Sequence, residues 1–299
     1  MCIRDRLYSE KGFSTKPEYR ATDYYLMDGY NDSNYPDVTP ERDGKRLIVQ
    51  PNTFNMYCHR EPRFYLTVVW NGQWFKWENR NTNFLYGQPD GGPTHDAPQN
   101  GYLNRSRVSL DYIPRDNNHP YRPAIIFRMA EAYLSYAEAL NESSERMSHK
   151  QEILDNLNKI RHRAGIAEYG TGTDENGFTR IKINFSDQKE VRRLIHKERR
   201  VEFVGEGVRY HDLRRWKTAH YGIGNLNEQG ENPDWGVNGP DYGMNYYGTE
   251  YTDQGDNAFF KRTKYMDRVY PRKFYWYPIH QSEIDKDPTL VQGPFWLGE

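Results

Sequence analysis

The chain has 299 residues, enough for one large or two small domains, and its 36% apolar content lies below the roughly 45–50% of ordinary globular chains. Lysine plus arginine (41) and aspartate plus glutamate (42) cancel to a net charge of −1, which excludes the basic footprint of a nucleic-acid binder and a basic membrane-facing surface. Two cysteines exclude a disulfide framework, and no run approaches the ~18–20 apolar residues of a membrane-spanning helix.

The opening residues, MCIRDR, hold no apolar signal segment and no lipobox ahead of Cys2. The sequence is therefore expected to be an N-terminally truncated piece of a longer protein, with MCIRDR foreign to it and Cys58 a structural thiol. Residues 1–60 read as loop, polar and without a period. Within them Tyr24, Tyr25 and Tyr30, beside Asp28 and Asn31, form one candidate ligand cluster.

Residues 63–70, RFYLTVVW, are aromatic and β-branched and are bounded by Pro62 and Asn71-Gly72. That pattern predicts a strand closed by a hairpin turn, with QWFKWEN returning as its partner. The hairpin would gather Trp70, Trp74 and Trp77, followed at once by Asn79, Arg80, Asn81 and Asn83. Trp74 and Trp77 fall on opposite strand faces, so at most two of the three rings share a platform. The competing reading makes them anchors of the hairpin. Residues 79–100 are a Gly/Pro/Asn/Asp loop.

Helices are expected from Pro123 onward. In the first, Ile125, Ile126, Met129, Tyr133, Tyr136, Ala137 and Leu140 recur as an apolar stripe. The second buries Ile153, Leu154, Leu157, Ile160 and Ala164 and stops at Gly165. A third begins at Asp187 as N-cap, with Glu190 as capping-box partner, and a fourth follows Gly205 and Gly207 with Tyr210, Leu213 and Trp216. Their arginines read as structural, Glu202 pairing with Arg199, Glu206 with Arg209, and Asp212 with Arg209 and Arg215 at helical spacing. Residues 219–270 form a long loop whose aromatics (Tyr221, Trp235, Tyr242, Tyr246, Tyr247, Tyr251, Phe259, Phe260) predict an ordered, packed excursion. Trp235 is a third candidate ligand residue.

Zinc, P-loop, nucleophile-elbow and EF-hand spacings are missing, and no cofactor or metal is expected. Gly205-Glu206-Gly207 lacks the third glycine of a dinucleotide loop. Binding, not catalysis, is the expectation, although two facing carboxylates would suffice for a glycosidase.

Six motifs occur in order: EPRF at 61–64; Gly101-Tyr102-Leu103 with Arg105 and Arg107; AIIFRMAEAYLSYAEALNE at 124–142; ILDNLNKIRHRAGI at 153–166; EVRRLIHKERRVEFVGEGVRYHDLRRW at 190–216; and YWYPIHQSEIDKDPTLVQGPFW at 275–296. Together they resemble the SusD/RagB family of outer-membrane nutrient-binding lipoproteins, in its C-terminal portion. The sequence departs from that pattern at His280, Asp287, Gly293 and Phe295.

The resemblance implies a mainly α fold, with tetratricopeptide-like helical hairpins packed with a loop-rich region and a small β-hairpin. It implies a division into a loop-rich part, 1–122, truncated from a larger domain, and a helical part with a long aromatic loop, 123–299. It implies capture of an oligo- or polysaccharide, through Trp74, Trp77, Trp70, Tyr30 and Trp235 if those clusters form the site. Delivery would be to a TonB-dependent SusC-like transporter on the extracellular face of the outer membrane, with membrane attachment only through a lipid anchor that this chain does not carry. Trp216 and Trp296 lie within family motifs and read as core. A peptide-capturing RagB-like binder and a helical-repeat scaffold for protein contacts are the alternatives.

Overall fold

A computed structural model describes residues 54–57, 61–75, 78–106, 108, 116–117, 119–121, 125–222 and 236–297. They fall into two compact units, one made of the described residues up to Glu206 together with Tyr242–Thr263, the other of Gly207–Asp241 and Lys264 onward. Helices predominate, with three two-stranded sheets.

In the first unit, a 3-10 turn at Asn55–Tyr57 precedes α1 (Pro62–Thr67), β1 (Val68–Trp70), β2 (Trp74–Phe75), β3 (Arg80–Asn81) and β4 (Tyr102–Asn104). The run expected as one strand is thus mostly helix. Arg63 explains the change. From a helical turn its guanidinium meets Glu61 (2.8 Å from Nε), Glu198 (2.7 Å) and Glu202 (2.9 Å), and Thr67 returns its hydroxyl to the Arg63 carbonyl at 2.7 Å. Tertiary charge pairing overrides the local β preference of FYLT. The chain becomes extended only at Val68, and β1 pairs antiparallel with β4, Trp70 opposite Tyr102. QWFKWEN is therefore not the partner of β1. A smaller hairpin forms instead between β2 and β3, with Trp74 opposite Asn81 and Phe75 opposite Arg80.

Three long helices follow: α2 (Met129–Glu142), α3 (Lys150–Arg163) and α4 (Gln188–Glu202), with α2 packed against both others. The start of α4 is as expected, the Asp187 side chain accepting from the Lys189 and Glu190 amides. Helix α3 buries Ile153, Leu157, Ile160 and the following Ala164, while Leu154 is only half-buried. Gly165, at φ +68°, supplies the left-handed residue that ends it. The apolar stripe predicted for the first helix holds at Ala137 and Leu140 and fails before them. Residues 125–128 are non-helical, Ile125, Ile126, Met129 and Tyr136 are exposed, and α2 buries Ala130, Leu134, Ala137 and Leu140.

The core of this unit is aromatic. Tyr57, Phe64, Tyr65, Trp70, Phe259 and Phe260 are fully enclosed, joined by Val201 of α4 and Met244. The long loop was expected to pack, and within 242–260 it does: Phe260 stacks on Phe54 at 3.7 Å and Tyr251 meets it edge-on at 4.9 Å. Under this core runs a buried charge cluster. Arg161 donates to Glu198 (2.9 Å) and to the Ala167 carbonyl (2.6 Å) and lies over the Tyr169 ring. Glu202 takes Arg63, Arg128 and Arg163, and Glu206 takes Arg128 at 2.6 Å.

The second unit holds α5 (Val208–Arg215), a 3-10 turn at Arg272–Tyr275, α6 (Gln281–Lys286) and most of the paired strands β5 (Gly239–Gly243) and β6 (Thr263–Arg268). Gly205 and Gly207, at φ +78° and +82°, mark the expected break before α5. The expected pair Arg215–Asp212 forms at 3.0 Å. The Tyr-Pro-Ile segment lies back on α5: Arg214 reaches the Phe274 and Tyr275 carbonyls, and Tyr210 bonds Tyr277 at 3.2 Å between hydroxyls. Trp216 and Trp296, expected in the core, are half-buried. Arginine side chains cover the Trp216 ring, with Arg215 at 5.0 Å.

Candidate functional site

The loop after β3 folds back on itself through Asp90. Its carboxylate receives Arg80 through two bonds, 2.7 and 2.9 Å, and the Asn83 amide at 2.8 Å. Partial burial raises the Asp90 pKa, but these three bonds outweigh it and hold the carboxyl below the usual range. This clamp ties the β2–β3 hairpin, which carries Trp74, to the loop that carries Tyr86. Asn71 adds a second tie, its side chain accepting from the Phe84 amide at 2.7 Å.

Tyr86 meets two residues of the long loop. Its amide bonds the Gly248 carbonyl at 2.8 Å, and its ring lies 6.0 Å from Tyr246 and 5.6 Å from Tyr247. Tyr246 rests directly on the backbone at Gly92, where a Cβ would stand 2.5 Å from the ring. Asn245 fixes the turn from below, accepting from the Tyr247 amide and donating to the Asp256 and Ala258 carbonyls. Tyr86 and Tyr246 are half-buried, whereas Tyr247 is 70% exposed. The result is a three-ring cluster, Tyr246 meeting Tyr86 and Tyr247 edge-on at 76° and 88° and Tyr86 tilted 45° to Tyr247, with Gln88 exposed and Asn83 and Asp90 part-exposed along its loop. Rings of this kind offer area at little rotamer cost, and the amides and carboxylate satisfy hydroxyls at a rim.

Of the five residues singled out from the sequence, Trp70 and Trp74 lie among the described residues. Trp70 is fully buried, packed between Phe64 (5.6 Å, stacked), Tyr65 (5.4 Å) and Tyr57 (5.8 Å). Its ring has no face left for a ligand, so it belongs to the core. Trp74 is half-buried on β2. Trp77, Tyr30 and Trp235 lie outside the described residues, as do Tyr24 and Tyr25. The sequence reading missed Tyr86. Its only local signal was a tyrosine in a Gly/Asn/Asp loop, and its partners lie about 160 residues away.

The SusD family model matches residues 9–296. The chain is 32% identical over 109 residues to the SusD-like protein P25 of Formosa agariphila, a match covering 36% of this chain and 18% of that protein. SusD-like protein P38 of the same organism matches at 32% over 103 residues, covering 34% and 19%. Among solved structures, a SusD-like protein from Bacteroides fragilis superposes with a TM-score of 0.60 at 25% identity, over 98% of this chain and 46% of that one. A SusD-like carbohydrate binding protein from the same organism gives 0.54 at 20% identity, over 97% and 47%. The chain therefore spans about half the length of these solved relatives.

Proposed function

The chain belongs to the SusD family, and on that footing we propose that it binds an oligo- or polysaccharide on the face formed by Tyr86, Tyr246, Tyr247 and the β2–β3 hairpin. The observation that carries this reading is Tyr247. It is a large, mostly exposed ring on a turn braced by Asn245, which accepts from the Tyr247 amide and, through its carbonyl, from the Gly248 amide, next to two further rings and a clamped acid–amide loop. A sugar stacks its C–H face on such a ring and gives its hydroxyls to the rim. One solved relative is itself described as carbohydrate binding.

Capture works here by shape and stacking, without a bond made or broken. Trp74 extends the platform along the hairpin, and Trp77, Tyr30 and Trp235 are proposed as further ligand contacts. In the whole protein the captured glycan passes to a SusC-like TonB-dependent transporter, at the extracellular face of an outer membrane to which a lipid anchor holds the protein. Helices α2 to α4 serve as a tetratricopeptide-like scaffold. The sequence divides functionally near residue 122, with ligand-facing loops before it and the helical part after it, the 242–263 excursion joining the former.

The test is affinity gel electrophoresis of the chain against plant, fungal and host polysaccharides, with a protein digest titrated calorimetrically in parallel. Retardation by a polysaccharide supports the proposal and identifies the ligand. A chain that melts cooperatively, ignores every polysaccharide and takes heat from the digest is a peptide binder instead.

A further inference from the structure

The two segments that build the ring cluster are acidic. Residues 78–96 carry Glu78, Asp90 and Asp96, and residues 245–257 carry Glu250, Asp253 and Asp256. Within both segments the one lysine or arginine is Arg80, although the whole chain is close to neutral. Arg80 is committed to acids already, with two bonds to Asp90 and a third to Glu78 at 3.4 Å. The cations just beyond the second segment are also engaged. Lys261 pairs with Asp256 at 2.8 Å, and Arg262 lies over the Tyr242 ring at 3.8 Å. Asp96 has His95 beside it at 3.1 Å, and both side chains stand fully in solvent.

Backbone ties keep these charges near the rings. Tyr86 shares its loop with Asp90, whose amide bonds the Asn83 carbonyl at 3.1 Å. The Asn245 side chain, under Tyr247, bonds the Asp256 carbonyl at 3.2 Å. The Asn257 carbonyl takes the Thr249 and Glu250 amides at 2.9 and 3.1 Å. Charges within about 10 Å act on a stacked ligand without touching it at moderate salt. A carboxylate or sulfate on a sugar held by Tyr247 would meet like charge, with the nearby cations already bound to acids or rings. An ammonium would meet carboxylates and the negative faces of the rings.

We propose that this face selects glycans by charge: it takes an oligosaccharide free of carboxylate and sulfate groups, favours one that carries protonated amino groups, and rejects uronic-acid polymers. The inference rests on the glycan-binding reading above and deepens it.

The test titrates derivatives of three neutral backbones, a mixed-linkage β-glucan, a galactomannan and a xylan. Each is used in hydroxyethyl, carboxymethyl and aminoethyl form at one degree of substitution, which matches bulk and varies charge. Native polygalacturonate and alginate are run beside them. For whichever backbone is bound, the carboxymethyl form should bind about tenfold more weakly than the hydroxyethyl form in ~10 mM salt, and the aminoethyl form more tightly than either. In ~1 M salt, where screening shortens to about 3 Å, the three affinities should converge. Glu250→Gln combined with Asp253→Asn should narrow the low-salt ratio several-fold; if that variant does not melt like the parent, the salt series decides. Equal affinities at low salt, a ratio that salt does not erase, or retention by polygalacturonate or alginate alone would each overturn the charge selection while leaving glycan binding in place. A chain that melts cooperatively and binds none of these probes removes the glycan reading, and the charge selection falls with it.

Discussion

Arg161 and Glu198 form an ion pair at 2.9 Å with both side chains wholly excluded from solvent. The other Glu198 oxygen takes Arg63 at 2.7 Å, so one carboxylate balances two buried guanidinium groups drawn from α1 and α3. Burial by itself would raise the Glu198 pKa, but the two arginines outweigh it and hold the carboxyl below its usual range. This cluster joins the EPRF segment, the α3 helix and the α4 helix, three of the motifs that identify the family, and gives each of them a physical reason to keep its charge.

Removing the shared acid should therefore be severe. Glu198→Gln leaves two buried arginines short of a counter-charge, a loss of about 3–5 kcal/mol for a broken buried pair. Urea denaturation measures it. Glu142→Gln is the control: its bond to Arg192 at 2.5 Å is partly exposed, and the loss there should stay below about 1 kcal/mol. Equal effects from the two variants would mean that the buried cluster is not what holds these segments together.

Glu61 is the weak member of the same cluster. Burial raises its pKa to about 7, the nearby arginine only partly offsetting this, because Arg63 is shared among three carboxylates. Between about pH 4.5 and 7 the folded chain then keeps a proton that the unfolded chain releases. Its contribution to stability is full below pH 4.5 and is lost as pH rises through about 7. Glu61→Gln cannot titrate, so its urea midpoint should fall less than that of the parent chain over that interval. Parallel pH curves would place the Glu61 pKa in the normal range.

Backbone space makes a third prediction. Gly101 sits at φ +82°, and a Cβ there would come within 2.4 Å of the Met244 side chain beneath it. Gly101→Ala adds left-handed strain to overpacking at the joint between β4 and the long loop, and should cost about 1–3 kcal/mol. At Gly87, also at positive φ but with nothing within 4 Å, the same change should cost about 1 kcal/mol, from strain alone. Thermal melts of both variants separate the two terms.

Much of this architecture is legible in the sequence, and what is not has a common cause. The Asp187 cap, the Gly165 stop and the buried residues of α3 follow from local chemistry, and they are where local chemistry places them. Helix α1 reads as a strand because nothing local to FYLT reveals that Arg63 must reach two acids on α4. The inward face of α2 is ambiguous because Met129 and Tyr136, which are exposed, and Ala130 and Leu134, which are buried, are all apolar residues of one helix. The tryptophans of 70–77 stand out by composition, yet only the pairing of β1 with residues 102–104 shows that Trp70 is core. The Tyr86 platform is likewise invisible until residues 86 and 246–247 meet.

Trp70 and Trp74, four residues apart, should respond in opposite ways. Trp70→Ala empties the centre of an aromatic core and should cost about 3–5 kcal/mol. Trp74→Ala removes a half-buried ring from a two-residue strand and should cost far less, while weakening retardation in polysaccharide gels. If Trp74→Ala unfolds the chain, that ring is a hairpin anchor and leaves the proposed platform.

Tyr247 gives the sharpest test of the binding face. Its ring is mostly in solvent, and its neighbours Tyr86 and Tyr246 hold their positions through bonds that do not involve its side chain. Tyr247→Ala should therefore leave the melting temperature nearly unchanged. If a sugar stacks on the ring, the loss of about 0.5–1.5 kcal/mol of ring contact weakens affinity roughly 2- to 12-fold. Tyr246→Ala differs, because that ring packs on Gly92, so stability and affinity should fall together. Isothermal titration with whichever polysaccharide retards the parent chain, paired with a melt of each variant, separates the cases. Unchanged affinity in Tyr247→Ala would remove the platform from the binding site and move the search to the hairpin carrying Trp74.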